Sequence, residues 1–199
     1  MEQKSSLFCK GVKMSDSKIK KMVLTALLAA LTCVATMIIQ IPSPMNGYVN
    51  LGDCFVLLSG WLLGPWLGFA AGGIGSMLAD IFLGYTHYAP GTLVIKGLVA
   101  LVAALLYKVL CKKNTYVGLA ISGVVSECIM VLGYFLYAGL ILGKGLMGEV
   151  GAIASVPGNC FQAAVGIIAG VLLMYLLNER KAISALLKSI LKPKKSKDK

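Results

Sequence analysis

LGDCFVLLSGWLLGPWLGFAAGGIGSMLADIFL, residues 51–83, stays apolar for longer than one membrane crossing requires. A helix covers the hydrocarbon layer with roughly 20 residues, so the stretch is either one overlong, kinked helix or two helices joined tightly. Gly64-Pro65 stands near its middle. Proline removes a backbone donor and clashes with the preceding turn, while glycine accepts backbone angles that other residues avoid. The pair therefore predicts a tight turn, with a short helix after it. With a turn, the chain has six spans and both ends on one side of the membrane; with only a kink, it has five spans and its ends fall on opposite sides.

Charge decides between the two. Of 19 Lys and Arg, six lie between Lys4 and Lys21, eight between Arg180 and Lys199, and three, Lys108, Lys112 and Lys113, at one internal break; Lys96 and Lys144 are the remainder. Basic residues mark the cytoplasmic ends of spans, so two basic tails favour six spans with N- and C-termini cytoplasmic. The net charge of +11 is then a topology signal that also suits anionic lipid headgroups, not a nucleic-acid surface. The composition, 58% hydrophobic and 14% charged over 199 residues, with mean hydropathy +0.83, lies outside the range of soluble domains. The expected class is an all-α integral membrane bundle of six transmembrane helices. A basic cytoplasmic segment occupies 1–21, the transmembrane domain 22–178 and a basic cytoplasmic tail 179–199.

The first span runs from Met22 to about Ile41 and ends at Pro42-Ser43-Pro44-Met45-Asn46-Gly47, which reads as a loop. A fourth span covers Thr92–Leu110, a fifth Tyr116–Leu142 and a sixth Val156–Leu177. Loops at 42–50, 84–91 and 143–155 lie outside and turns at 64–65 and 111–115 inside, which leaves seventeen of the nineteen basic residues on the inner side. Gly64, Gly68, Gly72, Ser76 and Asp80 recur every fourth residue, a stripe of small side chains that admits a neighbouring backbone. Ala26 and Ala30 repeat the spacing on the first span and suit another protein's helix. Trp61 and Trp66 flank the inner turn and read as interface anchors. The six cysteines show no Cys-x-x-Cys or Cys/His spacing and read as small buried hydrophobes; no metal site is expected.

The polar residues sort to one end. Asn50 and Asp53 open span two, Asp80 closes span three, Lys96 lies about a turn inside span four, Tyr134 and Tyr137 approach the end of span five, and Asn159 and Gln162 open span six; Glu127 is deeper. An ionisable group near the membrane centre costs at least roughly 2.5–3.5 kcal/mol, so such groups face a cavity or one another. A shared polar site in the outer half of the bundle follows, with an Asp80–Lys96 pair that either meets a ligand or only locks spans three and four. Tyr85, His87 and Tyr88 lie in an outer loop, either stacking on a flat ligand or forming an aromatic belt. Catalysis finds no support: there is one histidine, no Gly-x-Ser-x-Gly and no His-Glu-x-x-His. The segment Gly139–Gly145 lacks the spacer and the Ser/Thr of a phosphate loop, so ATP-driven work would come from a partner.

The order Gly47-Tyr48-Val49-Asn50-Leu51-Gly52-Asp53, Leu63-Gly64-Pro65, Gly72-Gly73-Ile74-Gly75-Ser76 with Ala79-Asp80, Gly84-Tyr85, Ala89-Pro90, Thr92-Leu93 and Ile95-Lys96-Gly97 resembles the substrate-binding (S) components of energy-coupling factor (ECF) transporters. The likeness is densest over 47–97, while span count and basic ends match along the chain. It implies a prokaryotic plasma-membrane protein, not an enzyme and without a cofactor, that captures a vitamin or related micronutrient from outside. The implied partners are a transmembrane coupling (T) subunit and two cytoplasmic ATPases. Small alanines on the first span contact the coupling subunit in that family, and Ala26 and Ala30 match them. A pyridoxine- or hydroxymethylpyrimidine-type compound would use tyrosines for stacking and Asn, Asp and Lys for ring and hydroxyl contacts, with riboflavin the close alternative. A divalent metal is disfavoured, since the metal-type members use an N-terminal histidine. Two readings from other classes stay open: a stand-alone transporter, and a structural membrane protein whose Asp80–Lys96 pair only fixes packing.

Overall fold

The computed structural model describes residues 18–38, 40–43, 47–112, 114–147 and 151–179; most of the expected N-terminal segment 1–21 and nearly all of the tail 179–199 lie outside them. Six helices form the bundle: α1 (Lys18–Ile38), α2 (Gly52–Leu63), α3 (Pro65–Phe82), α4 (Ala89–Leu110), α5 (Thr115–Leu136) and α6 (Val156–Glu179). The last turn of α5 widens into a π-helix, Tyr137–Ile141, and a 3-10 turn, Ala152–Ser155, leads into α6. One end of the bundle carries the Gly64 turn, the start of α1 and the end of α6. The other carries the connections before α2, α4 and α6.

Gly64 ends α2 with φ +85° and Pro65 starts α3, so the doublet is a turn. The helices it joins fold back antiparallel. A Cβ on Gly68 would stand 2.8 Å from the Gly60 Cα, and one on Gly60 would stand 2.2 Å from the Ala100 carbonyl oxygen, so α2, α3 and α4 meet backbone to backbone. The small-residue stripe of α3 is accordingly buried at Gly68, Gly72, Ser76 and Asp80.

Among the described residues, four helical segments are long and apolar enough to cross a membrane: Lys18–Ile38, Ala89–Leu110, Thr115–Ile141 and Ala152–Glu179. The helix after the turn, expected to be the short one, has 18 residues; the short helix is instead the one before it, α2. Its 12 residues rise about 18 Å, against a hydrocarbon core of about 30 Å. All of α2 except Phe55 is buried, and it packs against α1, α3, α4 and α6. It is the axis of the bundle and shares little surface with surrounding lipid.

Two further expectations are corrected. Across the end of the expected first span and the segment read as the loop 42–50, two short antiparallel strands pair, β1 (Gln40–Ser43) with β2 (Gly47–Asn50), in the register Gln40 to Asn50 and Ser43 to Gly47. Pro42 is tolerated because neither strand has a second neighbour among the described residues, which leaves one backbone edge of each free of ladder bonds. Trp61, read as an interface anchor, is a core residue, 4% exposed, whose indole N–H donates to Ser122 Oγ at 3.0 Å. Trp66, at 79% exposed, does face outward. Of the cysteines, Cys33, Cys54 and Cys111 are buried as read. Cys128 and Cys160 are exposed, and Cys9 lies outside the described residues.

Candidate functional site

At the hairpin end the polar side chains converge. Asn50 closes β2, and its Oδ1 accepts the N–H of Gly52, the first residue of α2, at 2.8 Å. The Asn50 backbone N–H donates to Gln162 Oε1 on α6 at 3.0 Å, and Gln162 Nε2 donates to Asp53 Oδ2 at 2.6 Å. The other carboxylate oxygen, Asp53 Oδ1, pairs with the ammonium of Lys96 on α4. Gly166 brings α6 this near, since a Cβ there would stand 2.7 Å from the Asp53 Cβ. Asp53 is 0% exposed and Lys96 3%, so in this low-dielectric interior both oxygens of Asp53 are satisfied by protein donors, as a buried carboxylate requires. The Lys96 ammonium also lies 5.5 Å from the ring centre of Tyr134, whose hydroxyl donates to Thr92 Oγ1 at 3.0 Å.

A cavity of about 60 Å³ opens beside this network. Eight of the residues singled out in the sequence for a ligand line it: Asn50, Asp80, Tyr85, Tyr88, Lys96, Tyr134, Asn159 and Gln162. Three others are placed differently. Asp53 stands behind the wall, holding Lys96 and Gln162. His87 is exposed and stacks outside, its ring centre 4.8 Å from that of Tyr88 and 6.3 Å from that of Tyr85. Glu127 is buried at 1% exposed, its carboxyl oxygens without a hydrogen-bond partner among the described residues, and it interacts electrostatically with Asp53 and Lys96. The expected Asp80–Lys96 pair is also corrected: Lys96 pairs with Asp53, because α2 lies against α4 and presents Asp53 to it, while Asp80 forms part of the cavity wall.

Thr36, Ser76, Thr92, Ala138 and Ser155 complete the wall. The hydroxyl residues were missed because in an apolar helix Ser and Thr commonly turn back onto the carbonyl a turn before, as Ser155 does to Ala152, and leave no charge to mark them. Tyr137, expected near this end, binds outside the cavity, donating to the His87 carbonyl at 3.0 Å. Together the wall offers amide, carboxyl, hydroxyl and ammonium groups along with tyrosine rings, the composition of a site for a small polar ligand with a flat face.

Residues 16–179 match the family described as ECF-type riboflavin transporter, S component. The chain belongs to this family. It is 30% identical over 161 residues, 79% of this chain and 87% of the relative, to the "Thiamine precursor transporter HmpT" of Lactococcus lactis subsp. cremoris (strain MG1363). It is 38% identical over 148 residues, 74% of this chain and 94% of the relative, to an "Uncharacterized protein in gap 3'region" of Pyrococcus woesei. The fold is similar to a chain solved under the heading "Structure and mechanism of the S component of a bacterial ECF transporter", with TM-score 0.58, 21% identity, and coverage of 80% of this chain and 96% of that one. As an S component the protein is a multi-pass membrane transport protein and not an enzyme.

A second concavity lies away from the first. Along α1 and α3 runs an apolar groove of about 570 Å³, with Ala26, Ala29, Ala30, Ala70 and Ala71 among its lining residues. Ala26 and Ala30, singled out from their spacing, both line it.

Proposed function

We propose that this S component captures a small vitamin or vitamin precursor with a single heteroaromatic ring, pyridoxine- or hydroxymethylpyrimidine-like, in the cavity between α1, α3, α4, α5 and α6. The observation that carries this reading is the wall itself, where Asn50, Asp80, Lys96, Asn159 and Gln162 join the rings of Tyr85, Tyr88 and Tyr134. Amides, a carboxyl and an ammonium match ring nitrogens and exocyclic donors, and the rings supply a stacking face. The thiamine-precursor transporter among the relatives supports the choice of a single ring; the cavity, at about 60 Å³, is smaller than the roughly 150 Å³ that takes up benzene, so it opens to admit either ligand. Riboflavin is the second reading, favoured by the family description.

The hairpin end faces outside and the Gly64 end the cytoplasm. Lys18, Lys20, Lys108 and Lys112 stand at the Gly64 end, in keeping with the positive-inside rule. The groove holding Ala26 and Ala30 receives a helix of the coupling subunit, which links the S component to two cytoplasmic ATPases and so to ATP-driven import. The test is mass spectrometry of small molecules released from the purified full-length protein, with thermal-shift titrations of hydroxymethylpyrimidine, pyridoxine and riboflavin. A one-to-one complex with a single-ring compound supports the reading. Preference for riboflavin selects the second, and the absence of any bound or stabilising vitamin overturns both.

A further inference from the structure

Tyr88 lines the cavity, yet one of the contacts that hold it comes from a segment with no part in the wall. Lys144, in the turn after α5, donates from Nζ to the Tyr88 hydroxyl at 2.9 Å, and its ammonium lies 5.1 Å from the ring centre. The backbone of this turn is anchored rather than loose. Lys144 N–H donates to the carbonyl of Ala138, a cavity residue, at 3.2 Å, and Ala152 N–H donates to the Gly145 carbonyl at 2.9 Å. Gly143 and Gly145, at φ +67° and +76°, let the chain reverse on either side of Lys144. Beyond Tyr88 the contact continues, with the rings of Tyr137 at 6.1 Å and Tyr134 at 6.4 Å.

We propose that Lys144 is a positioning residue for ligand retention: by holding Tyr88 over the cavity it bolts the turn after α5 to the 83–88 connection. The inference rests on the cavity being the ligand site. Lys144 touches no ligand; it acts through Tyr88. A charge-assisted hydrogen bond and a cation–π contact act on the same ring, so losing both frees Tyr88 to swing with its connection. A bolt of this kind governs escape more than entry, because entry already requires the turn to be open.

The experiment measures association and dissociation rates of hydroxymethylpyrimidine and riboflavin, whichever the wild-type full-length protein binds, for K144M, K144R and Y88F. K144M keeps the length of the side chain and removes its charge and donors. The expected result is a dissociation rate raised about tenfold with the association rate within about twofold, recovery toward wild type in K144R, and a smaller increase in Y88F, which keeps the ring and loses the acceptor. Wild-type dissociation in K144M, or equal loss in K144M and K144R, overturns the proposal and leaves vitamin capture standing. If K144M does not fold, Y88F decides alone: an unchanged dissociation rate refutes the bolt. If neither probe binds the wild type, the cavity reading falls, and this inference with it.

Discussion

Substituting Lys96 with methionine isolates the energetics of the buried network. The change keeps the volume of the side chain but removes the charge that faces Asp53, a residue 0% exposed whose other oxygen is held by Gln162. One neutral hydrogen bond then remains to a carboxylate in a dry interior. Breaking such a pair by removing one partner costs about 3–5 kcal/mol, and at about 2–4 °C per kcal/mol for a chain of this size the thermal midpoint falls by roughly 10 °C. The double change D53N/K96M removes both charges and leaves an amide able to accept from Gln162, so it recovers most of the loss, since paired charges often exchange for neutral groups at little net cost. Thermal unfolding of the three proteins in one detergent, without ligand, reads the difference. A K96M midpoint within about 2 °C of wild type, less than one kcal/mol would give, refutes the assignment of Asp53 and Lys96 as mutually dependent. So does a double variant no more stable than the single.

Other substitutions probe separate elements. G60A forces a methyl against the Ala100 carbonyl and should destabilise by roughly 1–3 kcal/mol, measured by denaturant unfolding; a neutral result would mean that α2 and α4 separate easily. S122A leaves the buried Trp61 N–H without its acceptor, for a loss of about 1–3 kcal/mol and a shift in tryptophan fluorescence. Filling the α1–α3 groove with A26L/A30L should leave vitamin affinity unchanged while abolishing uptake in cells that carry the coupling subunit and ATPases; loss of affinity would show that the groove serves the site instead. For orientation, in a background without other cysteines, T86C should react with a membrane-impermeant maleimide added to intact cells and K112C should not; the reverse pattern inverts the topology.

What could be read along the chain and what stayed hidden divide along physical lines. Breaks between helices were legible because Gly64-Pro65 and Lys112 act locally, through backbone angles and charge. The stripe Gly68, Gly72, Ser76, Asp80 was legible because helical spacing alone places it on one face. The partner of Lys96 was not. Asp80 is near it in the chain, whereas Asp53 is 43 residues away and meets it only because α2 sinks into the centre of the bundle, a depth that hydropathy does not encode. Trp61 misled for the same reason: beside a turn it resembles an interface residue until Ser122, on a distant helix, is brought within reach of its N–H. Tyr88 was visible as an aromatic, but Lys144 gave no sign of reaching it.

The central burial of α2 also constrains how the protein is made. A segment of 12 residues is too short to remain across a bilayer alone and has almost no lipid-facing side to present there. It therefore enters the membrane jointly with α3, as a preformed helical hairpin turned at Gly64. Its charged end can settle only after α4 has delivered Lys96 to Asp53. Synthesis from the N-terminus thus leaves an interval, between the emergence of α2 and that of α4, in which Asp53 lacks its counter-ion. In that interval the nascent chain depends on the insertion machinery or on water at the membrane surface to shelter the acid.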